Sequence, residues 1–180
     1  MRAEDHTAAA AALVQAERDR RQIGLLSVAH PDIDMDDAYA IQKQVVAAKV
    51  AAGDPVIGWK IGLTSRAMQM ALNIDIPDSG VLTRSMQFGT GATIPKGHFI
   101  EPRIEAEIAF VMKSDLGGAD VSRADVLAAT DYVAPALEIL DTRILRRDPD
   151  TGQPRKVFDT IADNAANAGI VLGTARHVPE

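Results

Sequence analysis

The most informative part of the chain is an apolar segment that carries two acids, Ile104-Glu105-Ala106-Glu107-Ile108-Ala109-Phe110-Val111-Met112. In a β-strand, successive side chains point to opposite faces, so the apolar residues at the even positions line one face. Glu105 and Glu107 then point together from the other face. Two adjacent like charges need a nearby cation, and a buried unpaired carboxylate is costly. The segment therefore predicts a strand with one apolar face and two inward-pointing glutamates.

A third acid, Glu138, lies in a second apolar run, Val133–Leu140. An unpaired carboxylate in such surroundings is either protonated or coordinated to a cation. Three acids of this kind favour a hard divalent metal, and oxygen-only ligation favours Mg²⁺ or Mn²⁺ over zinc. Three protein ligands would leave positions open for water or a chelating substrate. The alternative is a set of buried ion pairs with arginines such as Arg103 or Arg143.

Two further residues are weaker candidates for the same site. Lys60 lies in an alternating segment, Val56–Leu63, where it projects between Gly58 and Gly62. Two missing side chains leave room for a ligand, although a lysine extending from a sheet edge would give the same pattern. Asp78 lies in Pro77-Asp78-Ser79-Gly80, a combination that predicts a turn, and this pattern alone does not support a functional role.

Composition limits the function classes. With 180 residues, 47% of them hydrophobic, the chain can close a core and is expected to form one α+β unit. The net charge of −6 and the absence of a basic stripe argue against nucleic-acid binding. The sequence contains no cysteine, no secretory signal and no apolar run of membrane-spanning length, so we expect a cytoplasmic protein that is not membrane-bound.

Local patterns predict the order of elements and two regions. Residues 1–55 form an N-terminal helical region, and 56–180 form the second region, which carries the acids. The predicted helices are Thr7–Ile23, a segment capped by Asp34 and Asp37 that stops at Gly53, a short helix ending at Leu72, and one running from Ser122 to Ala129. A last strand is predicted over Ala168–Gly173. The stretch 159–169, rich in small and amide residues, fits either a polar loop beside a site or a plain connection.

Five separated blocks of the sequence together resemble one family. They are Gly58-Trp59-Lys60-Ile61-Gly62-Leu63-Thr64-Ser65, Pro77-Asp78-Ser79-Gly80, Pro102-Arg103-Ile104-Glu105-Ala106-Glu107, Pro135-Ala136-Leu137-Glu138 and Asp163-Asn164-Ala165-Ala166-Asn167-Ala168-Gly169. The resemblance is to the 2-oxopent-4-enoate hydratase family, within the fumarylacetoacetate hydrolase-like fold. It implies a mixed β-roll or sandwich preceded by N-terminal helices, with 56–180 as the N-terminal part of the catalytic domain.

The resemblance also implies a site and an activity. Glu105, Glu107 and Glu138 would bind Mg²⁺ or Mn²⁺, and Lys60 and Asp78 would lie beside the substrate. The implied substrate is a small 2-oxo or 2-hydroxy unsaturated acid, with hydration of 2-oxo-hept-3-ene-1,7-dioate to 4-hydroxy-2-oxoheptanedioate, in aromatic compound degradation, as the expected reaction. A decarboxylase of the 4-oxalocrotonate type shares the fold and these acids and is the alternative.

Family members differ from this chain in length. They continue beyond the position of Gly173, so the chain is expected to be a truncated form, and a catalytically silent subunit that folds only against a partner is a second alternative. Assembly into a homo-oligomer is expected under either reading. Trp59 stands where members often carry a histidine, so we expect no acid–base role at that position.

Overall fold

The computed structural model describes residues 1–72 and 77–179. Residues 73–76 and 180, which belong to the predicted region 56–180, lie outside the described residues. The described residues contain six α-helices: α1 Ala3–Asp19, α2 Leu26–Ala29, α3 Met35–Ala51, α4 Arg66–Leu72, α5 Arg123–Ala129 and α6 Val157–Ala162. None of these helices has both the length and the apolar character that crossing a membrane requires.

The strands form two sheets. They are β1 Val56–Gly62, β2 Asp78–Thr83, β3 Gln87–Phe88, β4 Arg103–Met112, β5 Thr130–Leu140 and β6 Asn167–Leu172. β1 and β2 pair antiparallel in a two-stranded sheet, and the larger sheet has the order β3-β6-β5-β4. The long strands β4 and β5 are antiparallel neighbours, as are β5 and β6. The predicted strands that carry the three glutamates, and the predicted last strand, are therefore confirmed.

The helices α1, α2, α3 and α6 pack around an apolar core. Leu13 of α1 and Ile41 of α3 are buried there, together with Ile144 and with Ile161 of α6. The core thus takes side chains from the N-terminal helices and from the later part of the chain. The division into regions at residue 55 stays a prediction.

The helix ends follow local capping chemistry. The predicted capping box of α3 is confirmed, because the amide of Asp37 donates to Asp34 Oδ1 at 2.9 Å. The predicted bounds of α1 were four residues too late at each end. Glu4 and Asp5 stabilise an earlier start next to the helix dipole, and Arg20 adopts a left-handed conformation (φ 52°) that ends the helix.

The predicted turn at Pro77-Asp78-Ser79-Gly80 is wrong. Asp78, Ser79 and Gly80 are the first residues of β2, where they pair with Gly62, Ile61 and Lys60 of β1. The local preference of Asp, Ser and Gly for turns is overridden by pairing with a strand that is distant in sequence. The pairing brings Asp78 and Lys60 onto one small sheet.

The apolar face of β4 is exposed. Ile104, Ile108 and Phe110 are 66%, 68% and 51% exposed, because no element among the described residues covers this face of the strand. The expectation of inward-pointing glutamates is wrong for two of the three acids: Glu105 and Glu107 are exposed, and only Glu138 is buried. Alternation along a strand identifies which residues share a face but does not tell whether another element covers that face.

Candidate metal and substrate site

The three predicted glutamates converge on one face of the larger sheet. Glu105 of β4 lies directly opposite Glu138 of β5, and Glu107 is opposite Ala136. Residues opposite each other in an antiparallel pair point to the same side, which brings all three carboxylates together. One oxygen from each lies within 4.8 Å of the other two. Such a spacing suits a single small cation.

Glu138 occupies the inner end of this cluster. Burial raises the pKa of its carboxyl, the positive charge of Lys60 opposes the rise, and the negative charges of Glu105 and Glu107 add to it. Its Oε1 has no hydrogen-bond partner among the described residues. Lys60 Nζ lies 3.5 Å from that oxygen, which is a charge contact rather than a hydrogen bond. A buried carboxylate oxygen with an unused acceptor position is available to a ligand.

Lys60 and Asp78 lie together on the small sheet. The Lys60 side chain is only 15% exposed and is directed toward Glu138, so it is not a solvated lysine at a sheet edge. Asp78 is buried opposite Gly62, and its Oδ1 has no hydrogen-bond partner in the described part of the chain. Burial raises the pKa of Asp78, and the charge of Lys60 lowers it. A Cβ on Gly62 would overlap Asp78 Oδ1 and approach Lys60 Nζ, so a larger residue here would displace the Asp78 carboxylate.

Neutralisation of the glutamates by arginine does not fit this geometry. The guanidinium of Arg143 is buried against Asp163, to which its Nη2 and Nε donate, and it also donates to the carbonyl of Asn167. Among the described residues, the basic side chain that forms an ion pair with this cluster is Lys60, through Glu138. One lysine cannot balance three carboxylates, and a hard divalent cation with oxygen ligands fits the remaining charge.

Sequence reasoning missed the residues that hold β2 in place. The side chains of Tyr39, Gln42, Asn164 and Asn167 all form hydrogen bonds to the main chain of β2. The sequence of the stretch 159–169 fits either a loop beside a site or a plain connection. In the structure this stretch contains the end of α6, a tight turn at Asn164–Ala166 and the start of β6. The small and amide residues of this stretch are the sequence feature that could indicate a role beside the site. The strand that they contact, β2, is distant in sequence, so the sequence does not identify their partner.

A separate cavity of about 370 Å³ lies between α1, α3 and the segment after β2. None of the five predicted site residues lines it. Several of its charged groups already have partners: Lys49 pairs with Glu17 at 2.5 Å, and Asp54 accepts hydrogen bonds from Ser85. The buried polar atoms that lack partners in the described residues are elsewhere, two of them in Glu138 and Asp78. The unpartnered buried oxygens therefore point to the glutamate cluster and not to this cavity.

The amino-acid sequence of this chain is similar to those of several named enzymes. The chain is 52% identical over 168 residues to 2-oxo-hept-4-ene-1,7-dioate hydratase of Escherichia coli, a match that covers 93% of this chain and 63% of that protein. It is 43% identical over 163 residues to 2-hydroxyhexa-2,4-dienoate hydratase of Comamonas testosteroni, covering 89% and 60%. It is also 43% identical over 162 residues to 2-hydroxypent-2,4-dienoate hydratase of Pseudomonas putida, covering 89% and 70%. No family model matches the sequence.

A solved structure agrees with the sequence matches. The chain superposes with a TM-score of 0.90 and 30% identity on 4-oxalocrotonate decarboxylase from Pseudomonas putida G7, complexed with magnesium and adipate. The superposition covers 99% of this chain and 65% of that one. The chain thus spans less than two thirds of the length of the first relatives and of this structural neighbour.

Proposed function

We propose that this chain, which belongs to the 2-oxopent-4-enoate hydratase family, adds water to a short unsaturated 2-oxo acid or its 2-hydroxydienoate tautomer. The expected α+β, fumarylacetoacetate hydrolase-like fold is confirmed by the superposition over nearly the whole chain. The observation that carries the proposal is the convergence of Glu105, Glu107 and Glu138, with an unpartnered Glu138 oxygen facing Lys60 Nζ.

The glutamate cluster would hold a divalent cation, with Mg²⁺ as the proposed native ion and Mn²⁺ as its substitute. When bound, such an ion supplies Lewis-acid stabilisation of negative charge on the 2-oxygen of the substrate. The structural neighbour with bound magnesium supports a hard metal. The exposed positions of Glu105 and Glu107 leave the cluster open on one side to an incoming acid.

Lys60 would offset the negative charge of the site. Three carboxylates outweigh one divalent cation, and an anionic substrate adds further negative charge. The ammonium group lies 3.5 Å from Glu138 Oε1 and acts by charge on both buried acids, Glu138 and Asp78. It can therefore orient the substrate carboxylate or enolate oxygen by charge.

Asp78 would move the proton that hydration requires. Addition of water to the conjugated alkene takes a proton from water and delivers one to carbon. A buried carboxyl with a raised pKa holds its proton at higher pH than an ordinary aspartate and can return it in the next step. Its Oδ1, which lacks a partner among the described residues, is the atom assigned to this transfer.

One of the relatives, at 52% identity, supports a dioate as substrate. The hydratase of Escherichia coli, at 52% identity, is named for a seven-carbon dioate, and we propose the same class of substrate for this chain. We also propose that the protein forms a homo-oligomer and that the reaction takes place in the cytoplasm.

The test combines metal binding with turnover. We expect the chain to bind Mn²⁺ in a calorimetric titration and, with Mg²⁺ or Mn²⁺, to consume the dienol form of 2-oxo-hept-3-ene-1,7-dioate, seen as loss of its ultraviolet absorbance. Glu107→Gln should weaken Mn²⁺ binding by roughly tenfold or more, because one of three ligand charges is lost. Glu101→Gln, an exposed acid just before β4, is the control. Equal Mn²⁺ affinity in Glu107→Gln and the wild type would contradict the proposed ligand set.

The second candidate is a decarboxylation, favoured by the structural similarity to 4-oxalocrotonate decarboxylase. Mass spectrometry of the product separates the two reactions. Hydration adds the mass of one water molecule, whereas decarboxylation removes that of carbon dioxide. A product lighter than the substrate would overturn the hydratase proposal.

A further inference from the structure

The candidate site is divided between two separate sheets. Lys60 and Asp78 belong to the small sheet of β1 and β2, whereas Glu105, Glu107 and Glu138 belong to β4 and β5 of the larger one. The distance between the two groups is therefore determined by whatever joins the sheets. That distance matters, because Lys60 Nζ and Glu138 Oε1 lie only 3.5 Å apart.

The edge of β2 that faces away from β1 is closed by side chains instead of by a strand. The amide of Val81 donates to Asn164 Oδ1 at 2.8 Å, and Asn164 Nδ2 donates back to the carbonyl of Val81 at 2.9 Å. Asn167 Nδ2 donates to the same carbonyl at 3.1 Å. The side-chain amide of Asn164 thus takes the place that the backbone of a neighbouring strand would occupy.

The backbone of Asn164 is anchored to the larger sheet. The preceding residue, Asp163, accepts hydrogen bonds from the amide and guanidinium of Arg143, which follows β5. The carbonyl of Ala166 accepts from the amide of Asp141, at the end of the same strand. The chain then enters β6, where Ile170 pairs with Glu138. Asn164 therefore holds β2 with its side chain while its backbone is fixed beside the strand that carries Glu138.

The conformation of this turn is unusual and buried. Asn164, Ala165 and Ala166 have φ values of 52°, 53° and 58°, the left-handed region that residues with a Cβ rarely adopt. All three are buried. Gly80 allows β2 to approach the turn, because a Cβ there would lie 2.6 Å from the Asn164 carbonyl oxygen. Gly80 is the partner of Lys60 across the small sheet, so the contact lies directly behind the lysine.

We propose that Asn164 is a positioning residue that sets the separation between Lys60 and the glutamate cluster, by clamping Val81 of β2 to the turn that leads into β6. Its role in turnover rests on the proposed hydration, in which Lys60 and the cluster act on the same substrate. Its effect on the geometry does not depend on that reaction.

The test uses two variants of the same turn in the full chain. Asn164→Gly suits the left-handed backbone but removes the amide that holds Val81. Ala165→Gly makes the same backbone change next to it and keeps the amide, so it is the matched control. Gly80→Ala is a second probe, because its methyl group would lie 2.6 Å from the Asn164 carbonyl oxygen and 3.3 Å from Lys60 Cγ, and so perturbs both sides of this contact without altering the Asn164 amide.

Three measurements test the effect of Asn164 on the structure of the site and on turnover. In Asn164→Gly we expect faster hydrogen exchange at the Val81 amide. We also expect bound Mn²⁺ to broaden the Lys60 ¹³Cε signal less than in the wild type, because the lysine would lie farther from the glutamate cluster. We expect kcat to fall by roughly 10- to 100-fold, because small misplacements of a group that positions the substrate cause losses of this size. Mn²⁺ affinity and KM should stay within about threefold of the wild type. Ala165→Gly should match the wild type in all of these, and Gly80→Ala should follow Asn164→Gly.

Two results would overturn the inference. One is an unchanged Lys60 signal in Asn164→Gly despite rapid exchange at Val81. The other is a loss of Mn²⁺ affinity as large as the loss of kcat, which would indicate general disruption of the fold. If the wild-type chain binds Mn²⁺ but consumes no dienol, the proposed hydration fails, and the Lys60 signal alone decides on the positioning role.

Discussion

At the scale of single residues, the site depends on how charge is distributed between Lys60 and four acids. Glu138 and Asp78 are both buried carboxyls whose pKa is raised by burial and lowered by the same lysine. Glu105 and Glu107 are exposed and keep their solvation. The lysine thus stabilises the two buried acids in their charged form, while the cluster as a whole retains the negative charge that attracts a cation.

Substitution of Lys60 by methionine separates these roles. Lys60→Met should reduce kcat of the proposed hydration by roughly 100-fold, because the charge that orients the anionic substrate is lost. Mn²⁺ binding at neutral pH should persist, since the lysine is not a ligand. Lys49→Met removes a lysine from an ion pair on the helical side and should behave as the wild type in both measurements. A kcat in Lys60→Met within twofold of the wild type would show that the lysine takes no part in turnover.

The sequence predicts the five residues of the candidate site for different reasons. Glu105, Glu107 and Glu138 stand out locally, as acids within apolar runs, and the structure brings their carboxylates together. Asp78 carried no local signal beyond a turn motif and entered only through the family resemblance. Asn164 could not be assigned, because its function depends on hydrogen bonds to Val81, which lies 83 positions away in the sequence.

At the scale of elements, β4 shows how a regular pattern can occur without burial. Its apolar face follows the period of a strand, yet Ile108 is 68% exposed, whereas Ile41 of α3 is fully buried. Apolar side chains stabilise a fold only to the extent that they leave water. The two isoleucines should therefore contribute very differently to stability.

A matched pair of alanine substitutions tests this difference. Ile41→Ala should lower the free energy of unfolding by roughly 2–5 kcal/mol, through lost burial and the cavity left in the core. Ile108→Ala should change it by less than about 1 kcal/mol. Urea denaturation of both variants gives the comparison. Equal losses would mean that the apolar face of β4 is covered in solution.

At the scale of the whole molecule, long-range polar contacts tie the N-terminal helices together. Asp37 accepts a hydrogen bond from the terminal amino group of Met1 at 3.0 Å and forms another with His6 Nε2 at 2.7 Å. Burial works against ionisation of Asp37, but the hydrogen bonds from His6 and the amino group outweigh it and lower the pKa to about 2. The contact joins the start of α1 to the first turn of α3.

This depressed pKa predicts the pH dependence of stability. A carboxyl with a lower pKa in the folded chain stabilises the fold at pH values above its ordinary pKa, and that contribution disappears as the pH falls toward about 2. Asp37→Asn should therefore cost roughly 1–2 kcal/mol at neutral pH and progressively less as the pH falls below about 4. Denaturation at a series of pH values, with the exposed neighbour Asp36→Asn as control, measures this. A pH-independent difference would contradict the role of charge.

The sequence by itself determined the main strands, the capping of α3 and α5, the family and the three converging glutamates. The strands, the caps and the choice of the three acids rest on alternation, capping boxes and apolar surroundings, which are local signals, whereas the family rests on five separated blocks that resemble it. Only the tertiary structure decided that Asp78 lies in a strand opposite β1, that the apolar face of β4 is open, and that the Asn164 side chain forms hydrogen bonds to Val81 of β2. Each of these depends on which distant segment supplies the partner, and hydrogen bonding and burial between distant segments leave no periodic trace in the chain.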